Sequence, residues 1–239
     1  MARSHQLTGK SLFLCGETFF MPRYLRITFL LLCGILGLSS CQTVFQGLYG
    51  IHGLRPVSSS EMQQLAGRYG IPANQVFVLD TSYRAFLSHL HRRDSAAAKN
   101  HYQPLQAAYY DRKGQLQSFY INCYAGGFPN LAWNAAGGLN QFPPKPQAPA
   151  DTALPLSDYL RYLRQPSGQP LPAQPTADHT IVVQWSRFMG RQSRRLIQAA
   201  QRNAALARPG STVQLLFVNN DNLATYLETR QAQFATKPN

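Results

Sequence analysis

Cys123 is the first residue to examine for chemistry. It closes the apolar stretch Phe119-Tyr120-Ile121-Asn122 and runs through Tyr124 into Ala125-Gly126-Gly127. Backbone N–H groups in a glycine-rich loop can hold an anion or an oxyanion. The arrangement would suit a one-cysteine enzyme such as a peroxidase or another thiol-dependent redox catalyst. The plainer reading, a small hydrophobe at a strand end, is preferred, so no catalytic residue is assigned and Cys123 is the one weak candidate. His89 and His91 form an H-x-H pair. On a helix, positions two apart do not face each other, and the adjacent Arg92 and Arg93 repel a cation, so no metal site is expected. Asp80, Asp111, Asp178 and Asp221 fall near the ends of expected strands, where open sheets collect their active sites. None forms a recognisable pair. Ser193 with Arg194 and Arg195 opens an expected helix and is a weak candidate for anion binding. No phosphate-binding loop, dinucleotide fingerprint, nucleophile elbow or zinc-protease motif occurs, and no cofactor is expected.

A second kind of candidate is aromatic. Residues 125–155 form a long Gly/Pro-rich insertion in which Phe128, Leu131, Trp133 and Phe142 stand among four glycines. Large apolar residues argue for a loop packed on its own domain. Aromatics turned outward would instead suit a partner protein or a glycan. Phe128, Trp133 and Phe142 are therefore the candidate binding loop.

The elements that must position these residues follow from periodicity and turn chemistry. Residues 42–60 look like a tether. Ser60, with Gln63 three residues on, makes a capping box for a helix that stops at Gly70. A short buried strand covers 76–79. A helix covers 83–91 with Phe86, Leu87 and Leu90 on one face, and residues 92–101 read as a polar loop. The segment Leu105–Cys123 is a hairpin around Asp111-Arg112-Lys113-Gly114, with Gly at the left-handed turn position. Ser157 caps a helix over 158–164, and a Pro-rich linker runs to about 177. The last unit is strand 180–185, helix 191–207 with Leu196, Ile197, Ala200 and Ala204 as its apolar stripe, and strand 213–218. Its length makes it a βαβ unit whose strands run parallel.

Within that unit, the stretch VVQWSRFMGRQSRR (182–195) resembles the active-site segment of the thioredoxin-like superfamily. A strand ends in Trp185, a tight turn contains Gly190, and a helix follows. The resemblance covers residues 179–222. It places Met189 at the nucleophilic cysteine position and Gln192 at the resolving one. Thiol–disulfide exchange needs a thiolate, so that chemistry is excluded at this turn. The family also implies a hairpin entered through a cis-proline, then a further helix, but few residues follow Asn222. The missing parts lie upstream, where Pro104 introduces the hairpin. The fold class expected is therefore α/β and thioredoxin-like in a permuted or rearranged order, with a central mixed sheet, a β-hairpin and flanking helices. The Gln103–Pro104 bond should then be cis and close to Met189. The alternative is an unrelated layered α/β fold with one βαβ unit.

The N-terminus speaks to location. From Met21, Arg23 and Arg26 precede an apolar run over 27–38 and then Leu38-Ser39-Ser40-Cys41. A charged start, a short apolar run and a small-residue exit describe an export signal rather than a membrane span. The last four residues resemble the bacterial lipobox. That resemblance implies a lipidated Cys41 carrying palmitate-type chains, and Gln42 favours the outer membrane. Residues 1–20 read as an over-extended start, 21–40 as the signal peptide, 41–60 as lipidated Cys and tether, and 61–239 as one domain. Residues 1–40 hold four of the 23 Lys/Arg and one of the 10 acidic residues, which leaves 19 against nine, about +10. With no long basic run and no RNA-binding aromatic signature, an acidic partner, anionic lipid or glycan is favoured over nucleic acid. Of four cysteines only Cys123 remains beside the lipid site, so the mature chain has no internal disulfide.

The function expected is a cell-envelope lipoprotein, anchored through Cys41 and facing the periplasm or the exterior. Its redox-inactive thioredoxin-like domain would act as a binding or scaffolding module. A Cys123 enzyme and a solute- or glycan-binding lipoprotein stand as alternatives.

Overall fold

A computed structural model describes Gly47 and residues 50–123, 132–171 and 177–235. These belong to the second of two compact units, Phe45–Asn239. The signal sequence and Cys41 lie outside the described residues, as do Ala125, Gly126, Gly127 and Phe128.

Among the described residues six strands form one sheet. They are β1 (Val76–Leu79), β2 (Gln106–Asp111), β3 (Leu116–Ile121), β4 (Leu163–Arg164), β5 (His179–Trp185) and β6 (Val213–Asn219), in the order β3-β2-β5-β6-β1-β4. Strands β5, β6 and β1 run parallel, while β2 lies antiparallel to β5 and to β3. The fold is thus α/β, a six-stranded mixed sheet flanked by helices, consistent with the thioredoxin-like class. The βαβ unit supplies the inner parallel strands, and the hairpin flanks β5 although it comes earlier in the chain. The hairpin closes where its turn chemistry says it should. Gly114 has φ +74°, its N–H donates to the Asp111 carbonyl at 2.9 Å, and the Asp111 side chain accepts from the Lys113 and Gln115 amides.

Alternation along the strands sends side chains to two separate cores. Ile181, Val183 and Trp185 face a core built with helices α1 (Ser59–Arg68) and α5 (Gly190–Ala204). Val182, Leu216 and Val218 face the other, built with α2 (Tyr83–Arg93), α4 (Leu156–Arg161) and α6 (Asp221–Ala235). The long loop after β3 packs onto the first core. Asn203 of α5, buried, donates to the carbonyls of Leu139 and Gln141 at 2.8 Å each and ties the loop to the helix.

Several expectations shift. The first helix is capped by Ser58, whose Oγ accepts from the Glu61 amide at 3.2 Å, and not by Ser60. Val57 and Met62, on either side of that cap, are buried in one core, a hydrophobic staple that fixes where the helix begins. Part of the expected polar loop 92–101 is helix α3 (Ser95–His101). Its cap is Asp94, accepting from the Ala97 amide at 2.9 Å, and Ala97 and Ala98 pack on Leu90. Ser157 is not the cap of α4. Pro155 stands there, and the Leu156 amide is already held by the Gly114 carbonyl at 2.9 Å. The expected helix end at 163–164 is strand β4, paired with Val78 and Leu79 of β1. The Gln103–Pro104 bond is trans, against expectation; among the described residues only Phe142–Pro143 is cis. Gln106 holds the Pro104 entrance, its Nε2 donating to the carbonyls of His101 and Gln103 at 2.7 Å, where the chain bends from α3 into β2.

Candidate functional site

The turn between β5 and α5 is built as the sequence suggests, then covered. The Ser193 hydroxyl donates to the Ser186 carbonyl at 2.7 Å and accepts from its amide, and the Ser186 hydroxyl accepts from the Met189 amide. Ser193 therefore serves the turn and is not turned toward an outside anion. Asp221, completely buried at the start of α6, holds the turn from below. Its carboxylate accepts from the Arg187 amide at 2.6 Å, the Phe188 amide at 3.2 Å and Asn219 Nδ2 at 2.8 Å. Burial pushes the Asp221 carboxyl above its ordinary range, against the pull of these donors and of Arg187.

Residues 50–57, expected as tether, form a strap over the same turn. The His52 amide donates to the Phe188 carbonyl at 2.8 Å, and the Arg187 guanidinium donates to the Gly53 carbonyl. The Val57 amide donates to Asn222 Oδ1 at 2.8 Å, and Asn222 Nδ2 returns to the Val57 carbonyl. Gly190 has φ +31°, and a Cβ there would strike the Gly50 carbonyl and the His52 ring, so only glycine allows this approach. Met189 is 6% exposed and Gln192 fully buried. The two positions that carry cysteines in the resembled family are thus without thiols and out of reach.

Beside the strap opens a cavity of about 300 Å³. It lies at the carboxyl ends of the parallel strands, where open α/β sheets bind ligands. Leu79, Gln184 and Asn220 come from those strand ends, Tyr83 and Leu87 from α2, and Leu223, Ala224 and Leu227 from α6. Phe188 from the turn and Pro104 from the hairpin entrance complete the wall. Leu54 of the strap, 36% exposed, and Tyr102, 52% exposed, also line it.

The polar groups here are few and nearly all engaged. Gln184 Nε2 donates to the Tyr159 hydroxyl, and Gln184 Oε1 accepts from Asn220 Nδ2 at 2.9 Å. Burial pushes the Tyr159 phenol up, so it stays neutral. Asn220 Nδ2 also donates to the Pro104 carbonyl at 2.8 Å, which places Pro104 at the site although its bond is trans. The Asn220 carbonyl oxygen is left over. It is buried and has no hydrogen-bond partner among the described residues, and an unpaired buried acceptor costs about 1–3 kcal/mol. His101, buried against Phe86 and Phe119, meets the Asp151 carboxylate at 3.1 and 3.2 Å. Burial pushes the Asp151 carboxyl up, but the bond and charge of His101 hold it below its ordinary value.

The other candidates disperse. Cys123 is half-buried, and burial raises its thiol, with Lys99 opposing only partly, the reverse of an activated nucleophile. Asp111 and Asp178 lie at the opposite end of the strands from the cavity, Asp111 holding the hairpin turn and Asp178 bonded to Thr212. Asp80 makes a local turn with the Ser82 amide and an ion pair with Arg164 at 3.4 Å. His89 and His91 are exposed near the end of α2. Among the described residues, no group of three or more His, Cys, Asp or Glu is placed to hold a metal ion. Trp133 is 5% exposed and Phe142 packs on the same core, so these aromatics staple the loop inward and are not a docking surface.

Sequence reasoning missed the cavity residues Gln184, Asn220 and His101. The available signal was Asn219-Asn220-Asp221 at the end of an apolar strand, a polar cluster where an open sheet binds, and Gln184 after the apolar run Ile181-Val182-Val183 of β5. Compared with known proteins, the chain matches no family model, no curated protein and no solved structure.

Proposed function

We propose that this chain is a lipid-anchored protein of the bacterial cell envelope whose thioredoxin-like domain is a non-catalytic binding module. The observation that carries the binding role is the apolar cavity at the carboxyl ends of β1, β5 and β6, beside a turn sealed by the strap. Anchoring rests on the lipobox resemblance at Cys41. Its standing as a non-enzyme rests on Met189 and Gln192 lacking thiols and on the raised Cys123 thiol. The test is equilibrium binding of the fluorescent apolar probe N-phenyl-1-naphthylamine to the chain beginning at Cys41, with Cys41→Ser for solubility. Saturable binding with one-to-one stoichiometry and a raised Tm is expected. Probe fluorescence that never saturates, with an unchanged Tm, would defeat the binding reading. Cys123 alkylation as fast at pH 6 as at pH 8 would favour an enzyme instead.

A further inference from the structure

Building on the reading of the domain as a binding module, we infer that the cavity takes a compact, predominantly apolar molecule that carries a hydrogen-bond donor and no negative charge, such as a long-chain alcohol or amine. The size follows from the space. About 300 Å³ holds roughly ten methylene-sized groups, taking each as near the ~30 Å³ of a water molecule. The walls of Leu79, Leu87, Phe188, Leu223 and Leu227 require the body to be apolar.

The head group follows from what the polar atoms leave open. Both ends of Gln184 are engaged, and His101 Nε2 is engaged by Asp151. The Asn220 carbonyl oxygen has no partner among the described residues and is itself buried, so a ligand donor satisfies it once that side chain turns to the cavity. Charge points the same way. In a chain with 23 Lys/Arg and 10 acidic residues, no lysine or arginine among the described residues lines the cavity, and Glu228 does. Among the described residues an anion would find no lysine or arginine there, while an ammonium would meet Glu228.

Geometry indicates the source. Leu54 lines the cavity from the strap, thirteen residues after Cys41. At ~3.5 Å per residue at most, that segment reaches about 45 Å. An anchor on Cys41 would therefore keep the cavity close to the bilayer, where apolar molecules of this kind are concentrated.

The experiment is displacement of N-phenyl-1-naphthylamine by 1-decanol, decylamine and decanoate at pH 7.5. The chain begins at Cys41 and carries Cys41→Ser. Decanol and decylammonium should displace the probe with decanoate at least tenfold weaker. Ala224→Phe, which fills the cavity, should abolish binding of all three. Leu227→Trp serves the same purpose if Ala224→Phe does not fold. Glu228→Gln should weaken decylammonium several-fold and leave decanol unchanged. Decanoate binding as well as decanol would overturn the ligand class while leaving the binding module standing. Undiminished probe binding in a folded, cavity-filled variant would overturn the site itself. A wild-type chain that binds no probe saturably would defeat the module reading and the ligand class with it.

Discussion

Asp221 shows how one residue fixes the candidate site. Its carboxylate gathers two successive amides of the Ser186–Met189 turn, and the next residue back, Asn220, lines the cavity and carries a buried acceptor without a partner among the described residues. Asp221→Asn presents an amide donor to N–H groups that need an acceptor. Hydrogen bonds to charged groups are worth about 1.5–3 kcal/mol, and the variant should lose stability of that order in urea unfolding at pH 7. Met189 and Gln192 support the opposite kind of prediction. A Met189→Cys, Gln192→Cys double variant restores both thiols in a buried turn. In a Cys123→Ser background from which Cys41 is also removed, the two introduced thiols should react with a thiol reagent only under unfolding conditions. Rapid labelling of the native protein would show that the strap does not seal the turn. Asp151 adds a pH dependence. Its folded pKa lies below the ordinary value of about 3.9, so the stability it contributes is complete above that value. The contribution fades as pH falls through the lower folded value. Asp151→Asn should therefore destabilise the protein at pH 6, with the difference from wild type vanishing toward pH 2.

At the scale of elements, what the sequence made legible was local. The hairpin rests on Asp111 and Gly114, which sit within a four-residue turn, and the βαβ unit rests on the apolar runs of strands 180–185 and 213–218 and the apolar stripe of the helix between them. Helix α3 escaped because Ala96, Ala97 and Ala98 show little apolar periodicity, and its burial comes from Leu90 and Phe86 on the preceding helix. The strap escaped for a different reason. Its bonds join Gly53 to Arg187 and Val57 to Asn222, partners more than 130 residues away, and no local pattern encodes them. The cavity is legible only after folding, since its walls come from five separate parts of the chain. Asn203 gives this scale its own test. Asn203→Ala removes both ties to the loop at Leu139 and Gln141. Limited proteolysis should then cut within residues 132–147 faster than in wild type, at a stability loss of about 1–3 kcal/mol.

At the scale of the whole molecule, the account joins an address to a binding site. Among the described residues no helix is long and apolar enough to cross a membrane, and the anchor proposed is a lipid on Cys41. Labelled palmitate should enter the chain expressed in a bacterium, and Cys41→Ala should abolish both the label and sedimentation with membranes. The central claim, that the domain binds at the cavity and not at its thioredoxin-like turn, is tested most directly by chemical-shift mapping. The isotope-labelled chain from Cys41, carrying Cys41→Ser, would be titrated with N-phenyl-1-naphthylamine. The account predicts saturable shifts at Leu87, Gln184, Asn220 and Leu223, with the amides of Gly190 to Ser193 undisturbed. Shifts centred on residues 189–193, or spread over the surface without saturation, would contradict it.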